Sequence, residues 1–184
     1  MATSLPSDNI PKVLHRLRLS AKKYQRADSD ILLLAVSKTR PASDIREAYS
    51  AGLSHFGESY LQEALDKIAA LADLPLTWHF IGPIQSNKTR PIAEHFQWVH
   101  SIDREKIARR LNDQRPDTLP PLQVCLQVNI SGEESKAGCT LEELPALARV
   151  IAALPRLQLR GLMAIPAATG DQAKPVSYTH LTLP

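Results

Sequence analysis

Lys38 closes the apolar run Ile31–Leu32–Leu33–Leu34–Ala35–Val36–Ser37 and is followed by Thr39–Arg40–Pro41. An amine placed where a buried strand should emerge can lose its proton through desolvation and attack an aldehyde carbon. Other residues able to do chemistry recur at comparable places. Glu58–Ser59 follows His55–Phe56–Gly57, the turn Gly82–Lys88 follows Trp78–Ile81, and Asn129–Ser131 ends the run from Leu122. His79 lies inside its own apolar segment, and Met163 lies inside Leu157–Ile165. Each has an ordinary reading: a solvated loop lysine, a hydrogen-bonded core histidine, helix-starting acidic and hydroxyl groups, a turn former, a core filler. Their shared placement at or near strand C-terminal ends is the stronger signal, because parallel β/α folds gather chemistry there.

The elements that must position these residues alternate. Ser7–Ala27 carries Ile10, Val13, Leu14, Leu17, Ala21 and Tyr24 at helical spacing. Ile31–Ser37 reads as a strand buried on both faces. A helix is expected from Ala42, with Ile45, Ala48 and Tyr49 inward and Gly52 as its stop. His55–Gly57 is a short second strand. Ser59–Gln62 has capping-box spacing before a helix bearing Leu61, Ala64, Leu65, Ile68, Leu71 and Ala72 on one face. Trp78–Gly82, Gln97–Ile102, Leu122–Ile130 and Leu157–Ile165 are the remaining strands. Between them lie a short helix over Ser86–His95 with an irregularity at Pro91, a helix through Ile107, Ala108 and Leu111 capped by Asp103, and a helix beyond the capping box Thr140–Glu143 that buries Leu144, Leu147, Ala148 and Ile151.

Strand–helix alternation every 20–35 residues or so implies parallel βαβ units. Neither a dinucleotide glycine fingerprint nor a phosphate-loop motif is present, which favours a (β/α)8 barrel over an open doubly wound sheet. About six βα units can be placed, against eight in a closed barrel. The periodic pattern stops after Ile165–Pro166–Ala167. The expected organisation is therefore one incomplete barrel domain over 1–167, with 168–184 a loop and non-native tail.

The 184 residues suffice for a substantial core. Hydrophobic residues make up 43% and charged residues 22%, a globular balance, and the net charge of +3 is spread without basic blocks. That composition argues against a nucleic-acid arm. No apolar stretch approaches the roughly 20 residues needed to span a bilayer, and Met1–Pro6 lacks a secretory pattern. Cys125 and Cys139 are expected to be free thiols, and no cluster has metal-ligand spacing.

Five blocks occur in order: Ala35–Thr39, Phe56–Glu63, Trp78–Lys88, Val128–Ser131 and Arg160–Pro166. Together they resemble the pyridoxal-phosphate homeostasis proteins, the YggS/PROSC family, over about Ile31 to Pro166. The resemblance implies an alanine-racemase-like (β/α)8 barrel of PLP fold type III, and a single-domain, monomeric, cytoplasmic protein. It implies that Lys38 holds pyridoxal 5′-phosphate as a Schiff base, with Ser59, His79, Asn129 and Met163 lining the pocket. Ser59 departs from the family's usual Asn and loses the amide's paired donor and acceptor. The family continues for about two more strand–helix units carrying a Ser/Gly phosphate segment and an Arg-Ile-Gly segment. This chain is therefore expected to keep the lysine and lack most of the phosphate anchor, with two unpaired sheet edges.

By that resemblance the chain holds or delivers the cofactor and has no turnover of its own, its partners being cofactor-requiring apo-enzymes or cofactor-producing enzymes. The alternative is an amino-acid racemase or decarboxylase. A racemase of this barrel needs a second acid/base on the opposite face of the substrate carbon. No further domain is expected in the chain to supply one, and no tyrosine is well placed. A Schiff-base aldolase and a pure interaction protein are the remaining classes.

Overall fold

The computed structural model describes residues 6–130 and 137–165. The expected tail over 168–184 lies outside the described residues, as does Ser131 of the Asn129–Ser131 candidate. Six strands are described: β1 (Ala35–Val36), β2 (His55–Glu58), β3 (Thr77–Phe80), β4 (Trp98–Ile102), β5 (Leu122–Gln127) and β6 (Leu157–Met163). They are ordered β1-β2-β3-β4-β5-β6 in one sheet. The pairs β1–β2, β4–β5 and β5–β6 are parallel. The helices are α1 (Pro6–Lys23), α2 (Ala42–Ser50), α3 (Leu61–Ala70), α4 (Thr89–His95), α5 (Glu105–Gln114) and α6 (Leu144–Ala152). The chain clusters into two compact units, residues 1–79 and 80–184.

In the first unit, the expected long strand over Ile31–Ser37 contracts to two residues. Leu32 and Val36 remain 55% and 52% exposed, so the run is not covered on both faces. α2 forms as its spacing predicts, burying Ile45 and Ala48. Gly52 stops it at φ +95°, a backbone region open to glycine. Phe56 of β2 packs on Trp78 of β3, ring centroids 6.1 Å apart. α1 is amphipathic but lightly seated, with Ala21 its one buried residue among those described. The capping box expected at Ser59–Gln62 does not form. The helix boundary falls at Tyr60 with no side-chain cap, and Gln62 instead donates to Asp66.

In the second unit, α5 buries Ile107, Ala108, Leu111 and Asn112. Full burial of each large apolar side chain is worth about 1.5–3 kcal/mol relative to exposure, so α5 is held far more firmly than α1. Asp103 does not cap it; the boundary is Arg104, whose guanidinium pairs with Asp103. A single 3-10 turn over Ser86–Lys88 precedes α4. Pro91 sits in the first turn of α4, where no intrahelical N–H is required of it. The buried Arg115 guanidinium donates to the carbonyls of Ala93 and Phe96, satisfying the C-terminal end of α4. The box at Thr140–Glu143 is reciprocal: Thr140 N–H donates to Glu143 Oε2 at 2.9 Å, and Glu143 N–H to Thr140 Oγ1 at 3.2 Å. It closes the turn just ahead of α6.

Candidate functional site

Lys38 occupies the second position of a four-residue turn, Ser37–Arg40, closed by the Arg40 N–H on the Ser37 carbonyl at 3.1 Å. Thr39, at the third position, has φ +64°. Glycine or asparagine ordinarily fills that place, and a β-branched residue there is strained. Ser37 is buried, whereas Lys38 is exposed. Burial therefore does not supply the desolvation expected for its amine. Among the described residues no hydrogen bond or ion pair engages the Lys38 ammonium.

Beneath the turn lies a cluster that the sequence reading did not anticipate. Lys67, on α3, is only 6% exposed. Its ammonium donates to the Ser37 carbonyl at 2.7 Å, to Glu58 Oε1 at 2.8 Å and to Glu63 Oε1 at 2.5 Å. All three N–H groups are satisfied. Ser37 Oγ donates to Glu58 Oε1 at 2.7 Å, and the Thr39 N–H donates to Glu63 Oε1 at 2.6 Å. The hydrogen bond from Lys67 holds the Glu63 carboxyl below its ordinary range, against an opposing desolvation. Glu58 is fully buried, and among the described residues its Oε2 has no hydrogen-bond partner. It serves this cluster rather than a helix start. A signal for Lys67 existed: it falls three residues after Ala64 and four before Leu71, both buried, and four after Glu63.

Ser59 is half-buried between β2 and α3. His79 is buried in β3, and its Nε2 lies 2.9 Å from His55 Nδ1. One ring must donate and the other accept, so that contact holds a single proton. Burial lowers the His55 pKa. The expectation of a hydrogen-bonded core histidine is met, with a histidine as partner.

The second unit carries the other two expected residues close together. Gln127 and Met163 are register partners at the ends of β5 and β6, and the Val128 N–H donates to the Met163 carbonyl. The next residue, Asn129, donates its N–H to the Cys139 carbonyl at 2.9 Å. Both Asn129 and Met163 are half-buried. The chain returns here through Gly138 at φ +131°, where a Cβ would stand 2.5 Å from the Asn129 nitrogen and 2.6 Å from the Val128 carbonyl carbon. Gly82 and Ile84 of the Gly82–Lys88 turn use their carbonyls to accept from Ser101 and Arg104. That turn is structural in this unit. Cys125 and Cys139 are buried, unpaired thiols, and burial pushes Cys125 up to about 11.

Residues 13–182 match the family model of the alanine racemase N-terminal domain. The pyridoxal phosphate homeostasis protein of Pseudomonas aeruginosa is 66% identical over 167 residues, covering 91% of this chain and 73% of that protein. The chain belongs to the pyridoxal phosphate homeostasis protein family. The Escherichia coli member is 54% identical over 169 residues, 90% of this chain and 72% of that protein. Among solved structures, PipY of Synechococcus elongatus without PLP is 42% identical with TM-score 0.77, covering 88% of this chain and 75% of that one. The same protein with PLP bound aligns at TM-score 0.73. Alanine racemase of Streptomyces lavendulae, 17% identical with TM-score 0.70, shares the fold alone, over 94% of this chain and 45% of that one. The chain carries six strands of the alanine-racemase-like (β/α) barrel type.

Proposed function

We propose that this chain binds pyridoxal 5′-phosphate through Lys38 and serves intracellular homeostasis of that cofactor as a carrier rather than an enzyme. The observation that carries the reading is the Lys38 amine, exposed and without a partner among the described residues, at a turn whose two neighbouring residues are fixed from below. Such an amine suits a free aldehyde in solution. Once its proton is lost to solvent, the Lys38 nitrogen would supply the nucleophile for the cofactor's aldehyde carbon, with the aldehyde oxygen leaving as water. The bound cofactor supplies an electron-withdrawing ring. This chain's residues supply the amine and its placement. Support comes from the relatives' names and from the PLP-bound neighbour.

Ser59 and His79 in the first unit, and Asn129 and Met163 in the second, are proposed as cofactor contacts on the strength of the family blocks they occupy. The cytoplasm as its compartment, a monomeric state, and apo-enzymes or cofactor-producing enzymes as partners are proposals of the same standing. Among the described residues no helix is long and apolar enough to cross a membrane.

The test is titration with pyridoxal phosphate followed by borohydride reduction and peptide mapping. The pyridoxyl group is expected on Lys38, and Lys38→Ala should abolish the spectral change. An adduct on another lysine, or an undiminished signal in the variant, sinks the reading.

A further inference from the structure

We propose that Lys67, Glu63 and Glu58 are positioning residues for Lys38: the cluster imposes the strained turn from whose apex the Lys38 amine projects. This deepens the reading that Lys38 binds the cofactor aldehyde and rests on it.

Three observations converge. The first is where the bonds land. Lys67 reaches the Ser37 carbonyl and Glu58 reaches the Ser37 hydroxyl, while Glu63 takes the Thr39 N–H. The residues on both sides of Lys38 are therefore gripped, and Lys38 itself is left alone. The second is strain. A threonine at φ +64° is strained and persists only where its surroundings over-determine it. The Glu63 carboxylate, anchored by Lys67, is the surrounding group that holds the Thr39 amide. The third is the cluster's poor design as a stabiliser. Two carboxylates share one buried ammonium, and among the described residues Glu58 Oε2 has no hydrogen-bond partner. A partly satisfied buried network adds less than apolar packing of the same volume. Its geometry suits holding a backbone better than it suits strengthening a core.

A near-attack arrangement depends on where the amine's own backbone is fixed, and small misplacements are costly. The clamp therefore acts on cofactor affinity through the Ser37–Arg40 turn. A suppressor follows from the same logic. Glycine adopts positive φ without strain, so a glycine at position 39 makes the grip of Glu63 dispensable.

The experiment uses four forms of this chain: wild type, Glu63→Ala, Glu63→Gln and the double variant Glu63→Ala/Thr39→Gly. Each is titrated with pyridoxal phosphate, and melting temperature is read in parallel. Glu63→Ala should weaken adduct formation roughly tenfold. Glu63→Gln, whose amide oxygen still accepts from the Thr39 N–H, should recover most of that loss. The double variant should bind nearly as wild type. Hydrogen exchange over residues 36–41 should rise in Glu63→Ala and not in Glu63→Gln. Lys67→Met is the less useful variant, since it strands the buried Glu58 carboxylate and endangers folding. Unchanged affinity in Glu63→Ala overturns the proposal, as does a loss that Thr39→Gly fails to rescue. A wild type that forms no adduct, or a Lys38→Ala that still forms one, defeats the cofactor reading instead.

Discussion

Two histidine rings held at 2.9 Å make a contact that tolerates one proton and not two. His55 has its pKa lowered by burial, so the unfolded chain binds more protons there as pH falls below about 6.5. Stability must then rise with pH through the window between the folded value and about 6.5, and be lost as pH falls through the folded value. Urea midpoints from about pH 5.5 to 7.5 should fall on the acid side for the wild type. His55→Gln should flatten the curve, since the histidines outside this contact cancel in the difference. Parallel curves for the two proteins would show that His55 does not titrate in that range. Neither ring is fully legible as a pair in the sequence. His79 stands out beside Trp78, but nothing local indicates that His55, 24 residues earlier, faces it.

At the scale of elements, what the residues reveal depends on whether the determinant is local. The Thr140–Glu143 box could be read directly, because its two hydrogen bonds are made within four residues. So could β2 to β6 to within a few residues, since each is a short apolar run between turn signals. The Ser59–Gln62 spacing was equally good, and no cap forms there. Asp103 likewise stands at a capping position and is drawn to Arg104 instead. The burial of Lys67 was present in the helical spacing of α3, but a lysine on an apolar face is ordinarily read as an exception to it. Its partners Ser37 and Glu58 come from β1 and β2, and only the fold joins them. The candidate residues Lys38, Ser59, His79, Asn129 and Met163 were found by family blocks and strand ends. The clamp was not. Gly138 shows how a tertiary contact fixes one residue. Gly138→Ala should cost about 2 kcal/mol or more, because the new methyl meets immobile backbone at positive φ. Gly52→Ala is the control: its φ is +95° but nothing lies within 4 Å, so strain alone should cost about 1 kcal/mol. Equal losses in urea unfolding would mean that the steric contact with Val128 and Asn129 is not felt.

Among the described residues the strand order begins at β1 and ends at β6. Among the described residues β1 pairs only with β2, and β6 only with β5. Unpaired edges template association unless charge, brevity or cover blunts them. The two ends are not alike. β6 presents the exposed side chains of Gln158 and Arg160, and Arg160 lies over the Trp98 ring at 5.9 Å. The β1 end is short, yet it presents Leu32 and Val36, each more than half exposed, with no charge between them. Self-association should therefore run through the β1 end. Any rise of mass with concentration in light scattering should be suppressed in Leu32→Lys/Val36→Lys. Both side chains are already largely in water, so the melting temperature should change little. Placing lysines at 32 and 36 while association persists would point to β6 or to another surface. Abolished association with an intact Lys38 adduct would make the double variant the form in which cofactor binding is best measured.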